Sequence, residues 1–217
     1  MKALLRSYFA VALCAGLLAP QTVKADRDLD FKLFAATKAG RTAEVVALLE
    51  SGAHLNARNR LGETPLMLAI QANYRELSLA LVERGADVNK PDLKQVTPLH
   101  VAVFHQDLEL ARTLLDRGAD TTAVDNTLKG AICYAAANGD VEIMRLLLDR
   151  GVNVNAVYGN DLTALMWAAG YGQVEVIKLL LERGADTALK DNRGQRAVQM
   201  AEQGGHKKAT ELLQVAG

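Results

Sequence analysis

The sequence predicts an all-α fold, a solenoid of about six 33-residue helix-turn-helix repeats with hairpin or loop fingers between them. Three observations carry this. Gly52, Gly85, Gly118, Gly151 and Gly184 stand 33 residues apart, four followed by alanine and one by Val152. Helix starts keep the same interval, at Thr64-Pro65-Leu66, Thr97-Pro98-Leu99-His100, Gly130-Ala131-Ile132-Cys133, Thr163-Ala164-Leu165-Met166 and Arg196-Ala197-Val198-Gln199. Between start and glycine lie two short helical patterns, too small to bury both their faces without neighbours of their own kind.

The copy from Thr163 to Asp186 reads most clearly. Thr163 is placed to cap the first helix by accepting from a free backbone N–H, and Ala168-Ala169 keep that helix thin. Val174, Ile177, Leu180 and Leu181 give the second helix one apolar face. Gly184 supplies the left-handed residue at which it ends. A 33-residue period carrying T-P-L-H-x-A and G-A-D-V-N resembles the ankyrin repeat, over about Asp28 to Gly217. The resemblance implies a curved stack that recognises proteins.

In chain order, residues 1–25 read as an export signal. Lys2 and Arg6 form a positive start, Ser7 to Leu18 an apolar run, and Val23-Lys24-Ala25 an A-x-A-like site with cleavage after Ala25. The apolar run falls short of the roughly 20 residues that span a bilayer, so no membrane insertion is expected after cleavage. Large Leu13 before Cys14, and the apolar residues after it, argue against a lipoprotein. Loss of Lys2, Arg6 and Lys24 leaves 22 basic and 25 acidic residues, a net of −3, with no basic run to suit nucleic acid. Cys133 is then the one cysteine, which excludes an internal disulfide.

The mature domain, residues 26–217, divides near 28–58, 59–91, 92–124, 125–157, 158–190 and 191–217. In the first repeat Phe31, Phe34, Ala35 and Ala36 are expected to face inward, with Lys32 and Lys38 in water. The second and third repeats pair a threonine cap with proline at the first helical position. Asn56, Asn89 and Asn155 occupy the family's turn-forming position. The fourth repeat departs from the pattern. Gly130 takes the capping slot, Cys133 the slot of His100, and Leu128 that of the fingertip glycines Gly62 and Gly194. Gln95 and Asp161 lack that glycine too, so three fingers are expected to have altered tips. The sixth repeat places Gln199, Glu202 and Gln203 where an end repeat needs polarity.

Chemistry requires groups that converge, and the sequence offers none. His54, His100, His105 and His206 show no metal-ligand spacing, so no metal or cofactor is expected. His100 belongs to T-P-L-H, where the family uses the imidazole to bind backbone. His105 suits a contact residue, and Cys133, in a half-buried slot, an inert thiol. The Glu-Arg-Gly and Asp-Arg-Gly triplets put a late arginine at the negative end of each second helix. Trp167 shares a packing slot with Leu68, Val101, Tyr134 and Met200, with an edge toward the concave side.

What remains is the surface that the family uses for recognition. It comprises Arg60, Leu61 and Glu63, then Leu93, Lys94, Val96, Phe104 and His105. Asn126, Thr127, Lys129 and Asn138 follow, then Asn160, Leu162 and Tyr171. Leu61, Leu93, Phe104 and Tyr171 are conspicuous, because exposed apolar side chains rimmed by charge mark contact surfaces. The reading is a monomeric, non-enzymatic module that binds a protein partner. With an export signal, the resemblance implies a bacterial periplasmic protein, with secretion the alternative. It points to stabilising an enzyme such as a catalase in peroxide defence, or to immunity by occluding a toxic exported enzyme.

Overall fold

The computed structural model describes residues 19–217, with side chains from Arg27 onward. The expected leader from Lys2 to Leu18 lies outside the described residues, as do the side chains around the Ala25 cleavage site. Twelve α-helices form six pairs among the described residues: α1 (Ala19–Lys38) with α2 (Thr42–Glu50), α3 (Pro65–Gln71) with α4 (Arg75–Glu83), and α5 (Pro98–Phe104) with α6 (Leu108–Asp116). Then come α7 (Ala131–Asn138) with α8 (Val141–Asp149), α9 (Ala164–Gly170) with α10 (Val174–Glu182), and α11 (Ala197–Gln203) with α12 (Lys207–Ala216). Odd-numbered helices pack on one another in a row, and the even-numbered ones from α4 to α12 form a second row behind them.

The expected local signals account for the helix starts. Thr64, Thr97 and Thr163 each accept from the backbone N–H three residues on, at 3.2, 3.4 and 3.3 Å. Seven-residue helices are too short to be stable alone. Their stability comes from the core, where Leu66, Leu99, Ile132 and Leu165 are all within 1% of complete burial at one repeat position. The glycine after each outer helix is left-handed, with φ between 83° and 101° from Gly52 to Gly184.

The fingers correct one expectation. Gln95, Leu128 and Asp161 adopt φ of 60°, 59° and 60°, the left-handed conformation held at 78° by Gly62 and 79° by Gly194. Every finger closes on the same backbone bonds, as from Gly62 N to Asn59 O, Gln95 N to Asp92 O and Leu128 N to Asp125 O. The tip at Asp161 is altered as expected, whereas those at Gln95 and Leu128 keep the glycine geometry, the non-glycine residues carrying the strain. Asx turns hold them. One carboxylate oxygen of Asp92, Asp125 or Asp191 accepts from backbone N–H groups two and four residues on, and the Asn59 carbonyl does the same.

Tyr158 stands in that slot in the fifth repeat and cannot cap the turn. Asn160 there also turns left-handed, with φ 62°. The finger-to-finger bond slips with it. Leu93, Asn126 and Asn192 donate to Leu61, Lys94 and Asn160, whereas Gly159 reaches Leu128, one residue beyond the equivalent position. Gly130 fits the same junction, since a Cβ there would stand 2.7 Å from the Tyr158 ring.

Three further readings change. In α1 the buried residues are Leu33, Ala36 and Thr37, while Phe31 is 76% exposed, Ala35 is exposed and Phe34 is half-buried. The inward stripe is thus rotated from the one expected. In α10, Val176 and Leu179 join Ile177 and Leu180 inside, leaving Val174 and Leu181 half-buried. The recurrent asparagines act between repeats rather than within a turn. Asn89 donates to Gly118 O (2.9 Å) and accepts from Asp120 N (2.7 Å), and Asn155 does the same with Gly184 O (3.1 Å) and Asp186 N (2.8 Å).

Candidate functional site

The finger slot decides where each exposed group sits, because finger and odd-numbered helix belong to one continuous turn of chain. Leu61 and Leu93 stand 61% and 63% exposed on neighbouring fingers. Phe104 ends α5 and Tyr171 follows α9, at 59% and 57% exposed. Between them the structure places two half-buried aromatics. Phe104 meets Tyr134 edge-on at 6.2 Å, and Trp167 stacks with Tyr171 at 6.2 Å and 20°. The Lys129 ammonium joins the halves, 5.0 Å from the Trp167 ring centre and 6.0 Å from that of Tyr134. Five side chains from three repeats thus form one aromatic strip with a cation at its middle.

Not all predicted contact residues are free to serve. Asn126 donates to Leu93 O (3.2 Å), Asn138 to Phe104 O (3.1 Å), and Thr127 to the Asp125 carboxylate (2.6 Å). The Asn160 carbonyl accepts from Asn192 (3.2 Å), and Glu63 from Asn59 (2.7 Å). These polar groups brace fingers and helix ends. Val96 and Leu162 are half-buried, packed against the core. Arg60, Lys94 and His105 are exposed, His105 edge-on to Phe104 at 5.7 Å. Sequence reasoning missed Tyr134 as a surface residue and gave Trp167 only an edge. Leu68 and Val101 fill the same slot at 8% exposure, and an aromatic ring there is too large to hide.

The groups with chemical potential are structural. The His100 Nδ1 accepts from Thr97 N at 3.1 Å, and its Nε2 lies 3.1 Å from Lys129 O in the next repeat. Burial holds the imidazole below its ordinary pKa, hence neutral. Cys133 is buried, and its thiol is pushed up to about 12 mainly by loss of solvation, so no reactive thiolate forms at neutral pH. The Tyr134 hydroxyl donates to Asp125, fixing the ring beside Lys129.

A family model of ankyrin repeats in three copies matches residues 17–92, 33–125 and 132–216. The chain belongs to the ankyrin repeat family. A crystal structure of an ankyrin repeat domain from Acinetobacter baumannii AYE is similar to it, with 33% identity and a TM-score of 0.79, covering 86% of this chain and 98% of that one. No curated protein matches the chain. Ankyrin repeats are protein-interaction modules. The aromatic strip runs along the odd-numbered helices α5, α7 and α9. Among the described residues no helix is long and apolar enough to cross a membrane.

The ankyrin stack ends differently at its two poles. At the N-terminal pole Phe31 stands beside a groove of about 670 Å³ that includes Phe34, His54 and Arg58. The His54 Nδ1 there lies 3.0 Å from Asp30. At the C-terminal pole Glu202 and Gln203 are exposed, and the Gln199 carbonyl accepts from Arg196 N (2.8 Å), as His100 does from Thr97.

Proposed function

We propose that the mature chain is a non-catalytic module of the bacterial periplasm, gripping a protein partner through its concave face and fingertips after removal of residues 1–25. The observation that carries this reading is the strip of Phe104, Tyr134, Lys129, Trp167 and Tyr171, with Leu61 and Leu93 exposed on the fingers. Aromatics and a cation on a rigid frame lose little entropy on docking, and such residues dominate interface energetics. The export signal read from residues 1–25 supports the compartment.

Within that role we assign the chain to stabilising a periplasmic enzyme, such as a catalase, because its resemblance to exported bacterial ankyrin proteins points there. Residues 26–217 used as bait in periplasmic extract test the reading, beside a Phe104→Ala/Tyr171→Ala variant. One protein retained by the wild type and lost with the variant supports it. Equal recovery moves the site off the concave face. Preserved or raised activity of the captured enzyme fits stabilisation, whereas abolished activity identifies an inhibitor.

A further inference from the structure

The C-terminal half of the strip borders a cleft between the fifth and sixth repeats, lined by Leu162, Met166, Trp167, Tyr171, Arg193 and Met200 among others. Its volume of about 240 Å³ is below the ~300–1,000 Å³ of small-molecule sites and suits one large side chain of a polypeptide. Leu162, Met166, Trp167, Tyr171 and Met200 make its walls largely apolar, and Arg193 is the one charged residue that lines it. The Lys129 ammonium sits 5.0 Å over the Trp167 ring and has no carboxylate partner among the described residues. The Arg193 side chain is 65% exposed, with only its Nε bound, to Asp191 at 2.9 Å. That carboxylate is already committed, since its other oxygen accepts from the backbone of Arg193 and Gln195. The Trp167 indole N–H is shielded and finds no acceptor.

Unfilled donors around an apolar cleft call for acceptors carried beside an apolar group. We infer that this cleft takes an acidic segment of the partner in which a large apolar side chain is flanked by carboxylates. The inference deepens the binding-module reading and rests on it. The apolar side chain fills the space between Tyr171 and Met200, and the flanking carboxylates meet Lys129 and Arg193.

The test uses residues 26–217 labelled with ¹⁵N, in which the lone tryptophan supplies a single indole N–H signal. The probes are the capped hexapeptide Gly-Asp-Phe-Asp-Leu-Gly and its counterparts with Asn, or Lys, replacing both Asp residues. The expected result is a saturable shift of the indole signal with the Asp peptide. Binding is at least about fivefold weaker with the Asn peptide, and absent with the Lys peptide. Lys129→Gln/Arg193→Gln, whose folding the same spectrum checks, removes the preference for Asp over Asn. Equal binding of Asp and Asn peptides overturns the inference, and so does silence with every peptide. Silence in a protein that still captures its partner through Phe104 and Tyr171 leaves the binding-module reading intact.

Discussion

A single glycine shows how closely residue choices are matched in the fourth repeat. Gly130 sits where three other repeats place threonine, and by capping preference alone a threonine there would be equivalent. The Tyr158 ring decides otherwise, because it occupies the space that any Cβ at position 130 would fill. Gly130→Thr is expected to cost roughly 1–3 kcal/mol through overpacking. Adding Tyr158→Asp clears the ring and restores the Asx turn of Asp125 and Asp191, so the double variant recovers stability that neither change predicts alone. Urea denaturation of the four proteins measures that coupling. Gly130 was visible in the sequence as a departure, but its cause lies 28 residues away, across a repeat boundary that local pattern does not span.

At the scale of the element, inter-repeat staples matter as much as helix faces. Asn56, Asn89 and Asn155 each reach the following repeat, whereas Thr122 occupies that slot in the third and bonds only its own Asp120. Thr122→Asn is expected to bridge to Gly151 and Asn153 and raise stability by about 0.5–1.5 kcal/mol, read as a higher urea midpoint. The outer helices add Arg150–Asp116 at 2.6 Å and Arg183–Asp149 at 2.8 Å. The triplets thus tie neighbouring repeats, beyond the dipole role that their position suggested, though exposure keeps each pair weak. Leu180, fully buried in α10, is expected to cost about 2–5 kcal/mol as alanine. Tyr171→Ala should leave the melting temperature nearly unchanged while weakening partner binding; unfolding instead would place Tyr171 in the core. The helix pairs were legible because period, cap and glycine stop agree at each copy. The rotated stripe of α1 was not, because an end repeat has one neighbour and no second copy to fix its phase.

For the whole molecule, acid is the condition to which the stack is most exposed. Burial keeps His100 neutral, so its stabilising bonds are complete above an ordinary imidazole pKa of about 6.5 and are lost as pH falls below it toward the lower folded value. Burial alone would raise the carboxyls of Asp125 and Asp191. Hydrogen bonds outweigh it, from Thr127, Tyr134 and backbone for Asp125, and from backbone and Arg193 for Asp191. Both are left below the usual range. Their contribution is present above about pH 4 and is lost as pH falls through the folded values. Melting temperature is expected to decline in two stages between neutral pH and pH 3, and His100→Gln to remove the first. A decline unchanged in that variant would assign the first stage to another group.

The chain's only tryptophan lies half-covered at the contact between the fourth and fifth repeats. Its emission therefore reports melting at one place in a molecule whose circular dichroism reports helix along the whole stack. In a linear array each repeat contacts only its neighbours, so all-or-none unfolding is not guaranteed. Coincident curves from the two signals would mean that the stack melts as one cooperative unit. An emission change that precedes or trails the loss of helix would reveal the order in which the repeats come apart.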